Sequence, residues 1–84
     1  MINPKTPELY AQEETKDPIV YTIINCLSSR WLITEYDPQT QIAFGWCEVI
    51  SGEGELGYAN VEEIKELPYP VTYTSIEEPL SSLT

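Results

Sequence analysis

The sequence predicts a small α+β domain: an antiparallel β-meander of three to four strands, with one short helix after the third strand packed on the sheet. Three observations predict it. Residues 19–27 are dense in β-branched and aromatic side chains, the composition of a strand. Residues 30–48 read as two strands around a turn at 36–40, and they hold both tryptophans, the only phenylalanine and the only arginine. Residues 60–67 join a capping residue to a regular apolar face, the signature of a helix. At 84 residues the chain makes one domain, and such a chain buries only roughly 60–65% of the surface its unfolded form exposes.

Residues 1–18 contain Pro4, Pro7 and Pro18 and an acidic pair at Glu13 and Glu14, so we expect an extended or partly helical arm. Thr6-Pro7-Glu8 has the order of a helix start, but only Leu9 and Tyr10 follow as apolar anchors, enough for a single turn. Asp17 precedes Pro18 and is pushed toward extension. The body of the domain is expected over 19–76 and a flexible tail over 77–84.

The first strand, 19–27, is apolar on both sides and should be covered on both. Ser28 and Ser29 make the turn after it. In the second strand, Trp31 and Ile33 share one face while Leu32, Thr34 and Tyr36 share the other. Asp37-Pro38 opens the next turn, because proline supplies the dihedral a type I turn requires and aspartate favours the position before it. The third strand, 41–50, alternates large and small: Ile42, Phe44 and Trp46 against Ala43, Gly45 and Cys47. The small face admits a close neighbour such as a helix, and Gly45 marks a bulge or a close backbone approach. A loop over 51–55 follows, then a short extended piece at 56–58. In the helix Asn60 is the N-cap, Glu63 stands at capping-box spacing, and Val61, Ile64 and Leu67 line one side. Pro68 and Pro70 stop it, and residues 71–74 can add an edge strand.

These segments resemble a family of small bacterial proteins catalogued as domain of unknown function 2958. The residues that carry the resemblance are PELY at 7–10, TEYDP at 34–38, AFGWCE at 43–48 and, most specifically, ELGYANVEEIKEL at 55–67. The resemblance supports the order of strands and helix and brings no activity with it. It implies a mobile-element context.

Charge narrows the partners. Fourteen Asp and Glu against four Lys and Arg give a net charge of −10, which repels nucleic acid and anionic membranes and favours a basic protein. The opening residues have no signal-like apolar run and no segment is long enough to cross a bilayer, so a cytoplasmic protein is expected. Histidine is absent, which removes the commonest general base and metal ligand. Cys26 and Cys47 lack metal-ligand spacing and read as small buried hydrophobes. The carboxylates Glu35, Asp37, Glu48 and Glu55 read as solvated loop charges, and the glycine loop lacks calcium-loop spacing. We therefore assign no catalytic residue, no metal and no cofactor.

What remains is an aromatic set ringed by acids: Trp31, Tyr36, Phe44, Trp46 and Tyr58 with Glu35, Asp37 and Glu55. The leading expectation is a non-enzymatic protein-interaction module that engages a basic partner, one form being a nucleic-acid-mimicking decoy. The alternatives are a homo-oligomeric structural protein, such as a homodimer, and a small-molecule or metal-binding domain using Glu35, Asp37 and Tyr58.

Overall fold

The computed structural model describes residues 1–49 and 53–84. Residues 50–52, the last of the expected third strand and the first two of the loop after it, lie outside the described residues. The strands are β1 Ile19–Cys26, β2 Ser29–Asp37, β3 Ile42–Glu48, β4 Glu55–Asn60 and β5 Thr72–Pro79, with helix α1 Val61–Lys65 between the last two and a 3-10 turn at Leu80–Ser82. They form one five-stranded antiparallel sheet in the order β4-β3-β2-β1-β5.

This corrects the expected architecture in strand count and in helix placement: the sheet has five strands, and α1 follows the fourth rather than the third. The run ELGYAN is poor in β-formers, yet it pairs with β3 from Ile42↔Asn60 to Cys47↔Glu55 without a register shift. Cross-strand pairing overrides weak local preference there. β5 likewise extends beyond 71–74, because its polar residues pair with β1 as far as Ile19↔Pro79. The segment expected as a flexible tail thus contains the end of β5 and the 3-10 turn. That turn is bonded through Leu80 N–H to the Pro18 carbonyl at 2.9 Å and through Ser81 to the Asp17 carboxylate.

Two bulges shape the sheet. Between Ile33 and Glu35, β2 gains one residue on β3. Between Val20 and Thr22, β5 gains one on β1. A bulge leaves ladder groups unpaired and turns the following side chains to the opposite face. After the first, Glu35 joins Leu32, Phe44 and Trp46, and Tyr36 joins Trp31, Ile33 and Ala43. Strict alternation places Tyr36 on the other side, so the bulge corrects that expectation too. Gly45, paired with Ile33 beside the bulge, is where an added Cβ would overlap the Leu32 carbonyl.

α1 covers the small-residue face. Val61 and Ile64 pack with Ile24, Cys26, Trp31, Ile33, Ala43 and Ala59 in one buried cluster. A five-residue helix has little stability of its own, and tertiary packing holds it. Asn60 caps it by accepting from the Glu63 N–H at 3.2 Å, and Glu62, Glu63 and Lys65 suit the helix dipole. It ends at Lys65, short of the expected Leu67, which is exposed. We call this side the helix face and the opposite side the arm face.

Candidate functional site

The arm face is built by the bulge in β2 and by residues 7–18. Asn3 starts the arm on the far side: its N–H donates to Thr22 Oγ1 and its amide to the carbonyls of Tyr21 and Ile76, the latter inside the β5 bulge. The Tyr36 N–H then donates to the Pro7 carbonyl at 2.9 Å. Beyond that point the arm crosses to Glu35. The Tyr10 N–H donates to one Glu35 carboxylate oxygen at 2.7 Å and the Gln12 N–H to the other at 2.8 Å. Gln12 itself donates from its amide to the carbonyls of Thr34 and Ile19 and accepts from the Ile19 N–H. Each bulge carbonyl is therefore met by an amide side chain of the arm, Asn3 for Ile76 and Gln12 for Thr34. A buried backbone oxygen left unpaired would cost about 1–3 kcal/mol.

Glu35 is 3% exposed, which overturns its expected place among solvated loop charges. Its two oxygens are spent on the two arm N–H groups, so it anchors the arm. Asp37 caps its own turn, accepting from the Gln39 N–H and the Thr40 hydroxyl. Glu55 pairs with Cys47 at the far end of the sheet from the Asp37↔Ile42 pair. The three carboxylates do not converge, and among the described residues no group of three or more metal-ligating side chains does.

The aromatic set divides between the two faces. Trp31 is buried beneath α1, and Tyr36 packs against the same cluster. Burial, then Asp37, pushes the Tyr36 hydroxyl up, and Tyr73 beside it is raised by burial and then by Tyr36. Phe44, Trp46 and Tyr58 lie on the arm face. Phe44 meets Tyr58 edge-to-face with centroids 5.1 Å apart, a favourable aromatic geometry. The Trp46 indole donates to Glu48 at 2.7 Å, and Glu48 also takes Arg30 as a two-pronged ion pair. Arg30 holds the Glu48 carboxyl below its ordinary range. Gly54 closes over Trp46, since an added Cβ there would overlap the indole nitrogen.

Between these groups lies an open cleft of roughly 370 Å³, walled by Tyr10, Phe44, Leu56, Tyr58 and Leu80 with Glu35 at its base. Glu13 and Lys16 stand on its rim. The Tyr58 and Tyr10 hydroxyls are 3.3 Å apart. That contact first, then burial and the charges of Tyr10, Glu35 and Glu13, raises Tyr58 above its ordinary value. Tyr10 is 59%, Tyr58 57% and Leu56 53% exposed. Of the expected site residues, the cleft gathers Phe44, Tyr58 and Glu35 and leaves out Trp31, Tyr36, Trp46, Asp37 and Glu55. Sequence reasoning missed Tyr10, Leu56 and Leu80. The Leu56/Tyr58 spacing of two was a usable signal; the docking of Tyr10 and Leu80 had none.

Cys26 and Cys47 are free thiols. Burial, then the Glu55 charge, pushes Cys47 up, away from the reactive thiolate. No described helix is long and apolar enough to cross a membrane. No curated protein and no solved structure matches the chain. The family described as "Protein of unknown function (DUF2958)" matches residues 3–81, from the amide that plugs the β5 bulge to the 3-10 turn beside the cleft, and the chain belongs to that family.

Proposed function

We propose that this chain is a non-enzymatic protein-interaction module that engages a basic partner through the arm-face cleft. The observation that carries the reading is an apolar cleft left open on a chain of net charge −10. Exposed apolar side chains gathered around a concave site mark binding surfaces. Tyrosine suits the task, since it offers a rigid ring with a polar tip. Two of the four cations already have acidic partners, Lys5 with Glu77 and Arg30 with Glu48. The remaining field is strongly negative. Such a field draws in a basic partner and rejects anionic ones, while the aromatic contacts set how long it stays. A narrower version is a decoy that occupies the nucleic-acid groove of its partner, which a mobile-element setting would suit.

The test is capture from a lysate on immobilised chain, with a Leu56→Ala/Tyr58→Ala double variant beside it. The reading expects a basic protein that elutes as salt rises and that the variant fails to hold. For the decoy version, a DNA or RNA duplex should compete for the captured protein. Capture indifferent to salt, or equal on the variant, overturns the reading.

A further inference from the structure

The edges of the sheet differ in how they are protected. β5 carries a bulge, Glu77 and Glu78 beside it, and a proline at its end, the usual devices that stop an edge from pairing with another chain. β4 has neither proline nor bulge, and its register with β3 is unbroken over its whole length. Just beyond β4, the Val61 N–H donates to the Gln41 carbonyl at 2.9 Å. Hydrogen-bonded and non-hydrogen-bonded pairs alternate along an antiparallel ladder. Counting back from Val61, the backbone groups of Ala59, Gly57 and Glu55 face β3 and those of Leu56 and Tyr58 point outward, while Asn60, the N-cap, gives its carbonyl to the first turn of α1. Among the described residues, no backbone group takes the outward ones.

The same residues border the cleft. Leu56 and Tyr58 set their side chains on its wall, so their backbone and side chains together form one continuous surface. On the helix face, an added Cβ at Gly57 would meet nothing within 4 Å, so the space above that residue is open. The charges around this edge are mostly acidic. Glu53 and Glu55 stand at its start, Glu62 and Glu63 follow its end, and Glu13 lies near Tyr58 across the cleft. Lys16 on the cleft rim and Lys65 on α1 are the nearby cations. A second copy of the chain would bring the same acids and a further −10 to this edge, and like charges set opposite each other weaken strand pairing. The complementary occupant is a basic one.

We propose that the β4 edge is a strand-addition site, where an extended basic segment of a partner protein pairs with Leu56 and Tyr58 as a sixth strand and sets alternate side chains into the Leu56/Tyr58 side of the cleft. Main-chain bonds would supply affinity and the cleft would read every second residue. The proposal rests on the cleft reading above and specifies how that cleft is used.

The experiment titrates the isotopically labelled full chain with an amidated eight-residue peptide alternating lysine and valine, and with its glutamate–valine counterpart. Amide exchange is followed residue by residue. The expected result is that the lysine peptide alone binds and slows exchange at Leu56 and Tyr58 by about tenfold or more, while Gly57 and Ala59, already bonded to β3, change little. Binding that shifts Phe44 and Tyr58 ring signals but leaves the Leu56 and Tyr58 amides exchanging as in the free chain overturns strand addition and leaves the cleft reading standing. Equal protection by the glutamate peptide keeps the edge as a strand acceptor and overturns the basic partner. Failure of both peptides to bind at millimolar concentration overturns the cleft reading and strand addition together.

Discussion

On the helix face, α1 lays Val61 and Ile64 against Ile24, Trp31, Ile33 and Ala43, and this contact is almost wholly apolar. On the arm face, the crossing segment is held by directed hydrogen bonds: Tyr10 and Gln12 to Glu35, Gln12 to Thr34 and Ile19, Ser81 to Asp17. The difference teaches how an 84-residue chain divides stability from access. Apolar packing is non-directional and improves with every contact, so it closes the centre of a face, where Ile24, Ile33 and Ala43 are wholly buried. A strap fixed at a few bonds can cross a face and leave the space between its anchors open. The cleft sits in that space.

The comparison is broken most severely from the helix face. Ile24→Ala removes a fully buried side chain from the cluster and should cost about 2–5 kcal/mol, a large share of the stability of so small a domain. Urea unfolding checks it, and protection of all slow-exchanging amides should fall together. Glu35→Gln tests the other face. It leaves the Gln12 or Tyr10 N–H facing an amide nitrogen, a loss of about 1–3 kcal/mol. Its mark is local: exchange at Tyr10 and Gln12 should accelerate well before that of the β1–β2 ladder. Equal acceleration in both regions would show that arm and sheet unfold as one unit, and the distinction between the two faces would be lost.

Much of the helix face was legible in the sequence. The β-branched run at Ile19–Cys26, the Asp37-Pro38 turn and the Asn60 cap each follow from local chemistry, whereas the side of β3 that the helix covers, that of Ala43, did not follow from the sequence. Of the two readings of Gly45, a bulge or a close approach, the close approach to the Leu32 carbonyl is at Gly45 itself, and the extra residue of the bulge lies across from it in β2. The arm face was far less legible, because bonds between residues remote in sequence make it. Glu35 and Gln12 lie 23 positions apart and Asn3 and Ile76 lie 73 apart, with no periodicity to connect them. A single bulge residue then exchanges the faces of Glu35 and Tyr36, a change no alternation rule anticipates. β4 and the outer half of β5 fail for a related reason, since neighbouring strands impose their extension on residues with little strand preference.

The smallest effect concerns the last anchor of the strap. The Ser81 hydroxyl and N–H hold the Asp17 carboxyl below its ordinary 3.8, and Arg30, itself bonded to the Leu83 carbonyl, holds Glu48 below its ordinary 4.5. Both folded values are depressed, so both contributions are present above the ordinary values and are lost as pH falls through the folded ones. Acidification from about pH 6 to pH 3 should therefore loosen the Leu80–Ser82 turn while the core ladder keeps its protection. Both contacts lie near solvent, where salt and water weaken them, so the shift in overall stability should be slight. The Ser81 amide signal reports the event directly. Its movement toward the position of a free chain, with the Ile24 and Leu32 amides unmoved, would place the weakest hold of the arm face at its C-terminal end. Simultaneous movement of all three would place the acid-sensitive hold within the sheet instead.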